Sequence, residues 1–139
     1  MELFTLRRIL FWGGFATFVC GSTYVYWKPE LLDFASTTGI VRAGLIAVWF
    51  AFTGYSIYCI PFESLWQSAT KILKLLWGWQ VTVDLYISVF LSIGLVWLVT
   101  GSLVETLIWS IAIVPFANLA ILLFLVFHID EILAVFGIV

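Results

Sequence analysis

Apolar residues fill four long stretches of the chain, and polar residues collect in the connections between them. The stretches are residues 9–27, 43–60, 81–99 and 107–129. Each is close to or above the roughly 20 residues that a helix needs to cross the hydrocarbon core of a membrane. Only a short turn at Gly101 separates the last two, which favours an antiparallel hairpin. The pattern predicts an all-α integral membrane four-helix bundle.

A different pattern lies between the second and third stretches. Apolar residues between 62 and 77 recur at i, i+3 and i+4, which is one face of a helix. The other face carries Glu63, Gln67, Lys71 and Lys74. Such a helix is too charged to cross a membrane and too apolar on one side to stay in water. We predict an amphipathic helix lying in the membrane interface, although a helix packed on a partner subunit has the same pattern.

Composition agrees with a membrane protein. Of 139 residues, 64% are hydrophobic and only 10% are charged, which is too few to cover a water-soluble surface. We therefore predict a single transmembrane domain over residues 1–139, with membrane lipids and other membrane subunits as partners. The net charge of -2 and the absence of a basic run predict no nucleic-acid partner.

The basic residues predict an orientation. Arg7 and Arg8 precede the first apolar stretch, which we interpret as a retained helix and not a cleaved signal peptide. In a chain that crosses four times, four basic residues fall on one side and two on the other. The first group is Arg7, Arg8, Lys71 and Lys74, and the second is Lys28 and Arg42. The positive-inside rule then places both termini in the cytoplasm, in a bacterial inner or a photosynthetic membrane.

The same threading gathers ionisable residues at the cytoplasmic rim. They are Asp84, His128, Arg7, Arg8 and Asp130. One interpretation is structural: Asp84 faces inward and pairs with an arginine or with His128. The other is functional, because histidine titrates near neutral pH and ionisable groups within a span often mark a proton-linked or ligand-binding site. We favour structural pairing and keep the second as an alternative.

Small and polar residues inside the stretches predict helix-helix packing. They are Gly13, Thr17 and Gly21 in the first, Ser88 and Ser92 in the third, and Asn118 in the fourth. Small residues four positions apart let helix backbones approach closely. In an antiparallel hairpin Ser92 and Asn118 lie at similar depth, so we expect a hydrogen bond between them.

The sequence has no pattern typical of an enzyme. It has no Gly-rich phosphate loop, nucleophile elbow, metal cluster or catalytic carboxylate pair. Cys20 and Cys59 are not spaced like a metal or redox site, and we expect no disulfide. One histidine cannot supply the paired axial ligands of a b-type haem. We predict no cofactor, although a pigment held by His128 stays open.

Residues 79–127 resemble the C-terminal half of a family of small four-helix membrane proteins from bacteria and plastid-bearing organisms. The resemblance rests on Trp79, Asp84, Tyr86 and Asn118. Family members usually have glycine where Ala117 stands, and a basic or proline-rich end in place of the "HIDEI" that begins at residue 128. The resemblance implies four helices and no assigned activity.

These observations favour a non-catalytic accessory or assembly subunit of a larger membrane complex. The alternatives are a small proton-linked transporter or channel that uses Asp84 and His128, and a pigment- or lipid-binding membrane module.

Overall fold

The computed structural model describes residues 2–138, and over these residues every regular element is helical. The α-helices are α1 (Glu2–Tyr26), α2 (Thr37–Cys59), α3 (Leu65–Ile72), α4 (Leu76–Thr100), α5 (Leu103–Phe116) and α6 (Asn118–Val135). A short 3-10 helix, Pro29–Leu32, joins α1 to α2. The predicted all-α class is confirmed.

Four helices contain segments that are long and apolar enough to cross a membrane. They are Leu6–Tyr26, Thr37–Cys59, Leu76–Thr100 and Asn118–Val135. This number agrees with the prediction from the sequence, and it is compatible with an integral membrane protein. The last segment differs from the prediction, because the helix predicted over residues 107–129 is interrupted between α5 and α6.

The core of the molecule is built around α6. This helix packs against α2, α4 and α5, and half of its apolar segment is buried. Ala120, Leu123, Phe124 and Phe127 are among its buried residues. The first ten residues of α6 are apolar except for Asn118, and a helix that is apolar all round suits a site enclosed by other helices.

The break between α5 and α6 lies at Ala117. This residue has φ 41° and ψ -115°, a conformation that non-glycine residues seldom adopt. Pro115, two residues earlier, has no backbone N–H to donate to the preceding turn. The predicted fourth helix is therefore two helices. Ala117 is also the position at which the resemblance expects glycine, which adopts positive φ at low cost.

The two helices fold back on each other as a hairpin. Tyr26, at the end of α1, contacts both Trp109 of α5 and Phe127 of α6, with ring centroids 5.9 and 6.0 Å apart. The turn between the helices lies towards the start of α1, where the Phe116 ring is 4.5 Å from that of Phe11. Residues 109 and 127 are thus at one end of the bundle and the turn is towards the other.

The amphipathic helix is shorter than predicted. Residues 62–77 were expected to be one helix, whereas α3 covers only Leu65–Ile72 and α4 already begins at Leu76. The chain turns so tightly between them that a Cβ atom on Gly78 would overlap the carbonyl oxygen of Ile72. Glycine at this position allows the close approach.

Candidate functional site

Arg42 lies in the first turns of α2 with only 3% of its surface exposed. Its Nη1 donates a hydrogen bond of 2.8 Å to the carbonyl oxygen of Glu30, which belongs to the 3-10 helix. Its Nη2 forms an ion pair with the carboxylate of Asp130, near the end of α6. Arg42 therefore joins three elements at one end of the bundle.

A second ion pair lies beside the first. Lys28 Nζ donates to Glu131 Oε1 at 2.8 Å, and this hydrogen bond raises the pKa of Lys28 above its ordinary value. We call Lys28, Arg42, Asp130 and Glu131 the ionic cluster. It ties the connection between α1 and α2 to the last turns of α6.

His128 lies directly behind the ionic cluster, in an aromatic enclosure. Its ring stacks on Phe124 with centroids 4.5 Å apart and meets Tyr26 edge-on at 4.8 Å. Its Nδ1 is 3.9 Å from Glu131 Oε2. His128 has non-helical backbone angles inside α6 (φ -115°, ψ 16°), so the helix is kinked at this residue.

The enclosure leaves no room for a large ligand at His128. The residue is 7% exposed, and the centroid of the Trp109 ring is 6.2 Å from that of the imidazole. Nε2 of His128 and Nε1 of Trp109 are buried without a hydrogen-bond partner among the described residues. A pigment macrocycle would have to displace these rings to reach the imidazole, so the geometry does not favour His128 as an axial ligand.

The predicted rim of Asp84, His128, Arg7, Arg8 and Asp130 is not assembled. Asp130 pairs with Arg42, and His128 lies beside Tyr26. Arg8 precedes Tyr26 by 18 residues of one helix, which is roughly 27 Å along the axis. The physical reason is the break at Ala117, which returns α6 to the end of the bundle opposite to Arg7 and Arg8.

Asp84 is also far from His128. It lies 16 residues before the end of α4, which is roughly 24 Å along the helix. That end of α4 connects through Gly101 to the start of α5, and α5 carries Trp109 beside His128. The side chain of Asp84 is exposed on the surface of the chain.

The serine and asparagine residues predicted to join helices do not do so. Ser88 Oγ donates to the carbonyl of Asp84 at 3.2 Å, and Ser92 Oγ to that of Ser88 at 2.8 Å, both within α4. Asn118 is exposed at the start of α6. The predicted bond between Ser92 and Asn118 is therefore not present, because Asn118 lies at the turn of the hairpin and not in the middle of a helix.

Gly13, Thr17 and Gly21 are all exposed on α1. A Cβ atom added at either glycine would meet no other part of the described chain within 4 Å. Thr17 Oγ1 donates to the carbonyl of Gly13 in its own helix at 2.9 Å. The predicted packing face exists as a surface, but no helix within residues 2–138 covers it.

Sequence reasoning missed Arg42, Lys28 and Glu131. A signal for them was present in the chain. If the predicted helix over residues 107–129 is taken to end near Pro115 and the chain to reverse there, residues 130 and 131 lie at the same end of the bundle as Lys28 and Arg42. Two acidic residues then face two basic ones, as the structure has them.

An apolar cavity lies towards the other end of the bundle, between α1, α2, the segment leading into α3 and the α5–α6 turn. It has a volume of about 330 Å³ and is partly open. Most of its lining is apolar, including Phe11, Trp12, Phe52, Tyr55, Phe116 and Leu119. Its charged lining residues are Arg8 and Glu63. Unlike the enclosure at His128, this cavity has room for a ligand.

No group of three or more histidine, cysteine, aspartate or glutamate residues suited to a metal ion occurs in the part of the chain that the structure describes. Cys20 and Cys59 are free thiols. No family model matches the chain, and no curated protein or solved structure is similar to it at a significant level. The resemblance over residues 79–127 therefore stays a prediction.

Proposed function

We propose that this protein is a non-catalytic accessory or assembly subunit of a larger membrane complex, which it joins through α1. The observation that carries the proposal is the uncovered face of Gly13, Thr17 and Gly21. Helices in a membrane associate through stripes of small residues, since these let two backbones come close enough for extensive van der Waals contact.

The two faces of α1 support this proposal. Phe15 and Ser22 are buried against the rest of the chain, and the Phe18 ring lies 5.2 Å from that of Trp109. By the 3.6-residue repeat these residues are opposite to Gly13, while Gly21 lies at the edge of the uncovered face, about 60° around the helix from Phe18. One face therefore attaches α1 to its own chain, and the other is left for a second protein.

The test is substitution on the uncovered face. Gly13→Leu and Gly21→Leu place bulky side chains where a partner helix would approach. Neither change should weaken α1 itself, because leucine favours the helical conformation over glycine by about 1 kcal/mol. Native mass spectrometry of protein extracted in mild detergent should detect partner subunits with the unmodified chain and lose them with both variants. Gly94→Leu, the same change at an exposed glycine of α4, is the control and should retain them.

Two results would contradict the proposal. One is an unmodified protein that is always extracted without other subunits. The other is an assembly that survives both glycine substitutions.

The proposal includes a membrane arrangement. We infer that α1, α2 and α4 each cross the membrane, that α3 lies in the interface, and that the α5–α6 hairpin enters and leaves on the same side. The start of α1 and the end of α6 are then on opposite sides. The positive-inside rule favours the cytoplasm for the side of Arg7, Arg8, Lys71 and Lys74, in a bacterial inner or photosynthetic membrane.

A transporter that uses Asp84 and His128 together is less well supported. The helix lengths separate these residues by most of the length of the bundle, so they do not form one site.

A further inference from the structure

The cavity has the size and lining of a site for a hydrocarbon chain. Its volume of about 330 Å³ lies at the lower end of the roughly 300–1,000 Å³ that small-molecule pockets occupy. The lining is mostly aromatic and aliphatic, and Phe11 on one wall lies 6.2 Å from the Trp66 ring. An acyl chain that moves here from the bilayer would stay in apolar surroundings and gain close packing.

The polar part of the lining carries one charge of each sign. Arg8 is partly buried and forms no ion pair with any side chain that the structure describes. Glu63 accepts a hydrogen bond of 2.8 Å from Ser68 Oγ through Oε2. A carboxylate has capacity for several donors, so Glu63 can accept a further hydrogen bond.

In the membrane arrangement that we propose, this cavity lies at a depth where lipids can enter it. Glu63 and Trp66 belong to the amphipathic segment between α2 and α4, and tryptophan is enriched at the level of lipid headgroups. The charged residues of the lining are then at headgroup level, while the apolar lining continues towards the acyl chains.

We propose that the cavity binds a zwitterionic aminophospholipid, with one acyl chain inside, its phosphate at Arg8 and its ammonium group at Glu63. An anionic lipid would pair with Arg8 but would be repelled by Glu63. A choline headgroup has no N–H to donate to the carboxylate. The two charges together therefore select the headgroup.

The test is native mass spectrometry of the full chain with phosphatidylethanolamine, phosphatidylcholine and phosphatidylglycerol of identical acyl chains. The unmodified protein should retain one phosphatidylethanolamine with a preference of about tenfold, which corresponds to 1.4 kcal/mol. Arg8→Gln should lose retention, and Glu63→Gln should lose the preference over phosphatidylglycerol. Arg7→Gln, a neighbouring charge outside the cavity lining, should behave like the unmodified protein.

A second measurement does not depend on how those variants fold. Cys59 lines the cavity, so in a Cys20→Ser protein a bound lipid should slow its alkylation by a maleimide. Phosphatidylethanolamine should protect the thiol, and phosphatidylglycerol should protect it about tenfold less. Equal retention or protection by all three lipids overturns the proposal, and so does retention that Arg8→Gln leaves unchanged.

Discussion

Arg42 illustrates how one buried charge fixes the arrangement of three elements. Removing a guanidinium from water is costly unless its donors are paired. Here the carbonyl of Glu30 and the carboxylate of Asp130 accept from two of its nitrogens. The contacts of Arg42 hold three elements together. They are the connection after α1, the start of α2 and the end of α6.

Asp130→Asn should destabilise the folded protein. It removes the charge that compensates Arg42, and hydrogen bonds to charged groups contribute about 1.5–3 kcal/mol; the half-exposed position of Asp130 favours the lower part of that range. Reversible unfolding in mixed detergent measures the change. Glu30→Gln is the control, because Glu30 contacts Arg42 only through its backbone, and a loss as large as that of Asp130→Asn would contradict this account.

Lys28 gives a prediction about pH. Its hydrogen bond to Glu131 raises its pKa above 10.5, so the pair stabilises the folded state below the ordinary lysine pKa and loses this effect as the pH rises past the raised value. The difference in unfolding free energy between the unmodified protein and Lys28→Gln should be constant from about pH 7 to pH 10 and shrink above that. A difference in unfolding free energy that grows with pH would show that the ion pair of Lys28 and Glu131 is not its source.

At the scale of elements, the boundaries of the helices depend on a few backbone positions. Gly78 lets α4 begin directly beside the end of α3, and Ala117 ends α5 and starts α6. Hydrophobic periodicity does not mark either position. The sequence pattern therefore predicts one helix over residues 107–129 and an amphipathic helix that continues to residue 77.

Gly78→Ala should destabilise the turn between α3 and α4. The added methyl group overlaps the carbonyl oxygen of Ile72, and overpacking of this kind costs about 1–3 kcal/mol. Gly94→Ala on the same helix meets nothing within 4 Å and should be neutral or slightly stabilising. Thermal unfolding followed by circular dichroism compares the two, and equal melting temperatures would mean that the turn is not as tight as described.

Ala117→Gly should stabilise the protein by about 1 kcal/mol, because a sparsely populated backbone conformation costs about 1–3 kcal/mol for a residue with a Cβ atom. Ala120→Gly, three residues later in the first turn of α6, should have the opposite effect, since it removes a fully buried methyl group and glycine disfavours the helix. Detergent unfolding curves of both variants check the signs. Destabilisation by both would argue against a break at residue 117.

At the scale of the whole molecule, the membrane arrangement that we propose places the start of α1 and the end of α6 on opposite sides, because the α5–α6 hairpin does not cross. Single cysteines at Arg7→Cys and Gly137→Cys, in a Cys20→Ser, Cys59→Ser protein, should react with a membrane-impermeant maleimide from opposite sides of sealed vesicles. The expectation follows from the last turns of α6, which begin at His128 beside Tyr26 at the end of α1. Labelling of both from the same side would restore the four-crossing arrangement predicted from the sequence.

The class of fold was predictable from the sequence because apolar run length directly reflects membrane thickness. The ionic cluster was not, since its members are brought together by one change of direction at Ala117, and an error there moves Asp130 and His128 to the wrong end. The cavity had no sequence signal, because Arg8 and Glu63 come from segments that only the tertiary fold brings together.

The central position of α6 has a consequence for biosynthesis. Of the helices made before it, α4 and α5 pack extensively on each other, whereas α2 meets its main neighbour only when α6 is made. Chains that end before residue 118 therefore lack the buried residues of α6 and the surface on which α2 packs. We expect the packing of α2 to be completed only after α6 has been synthesised.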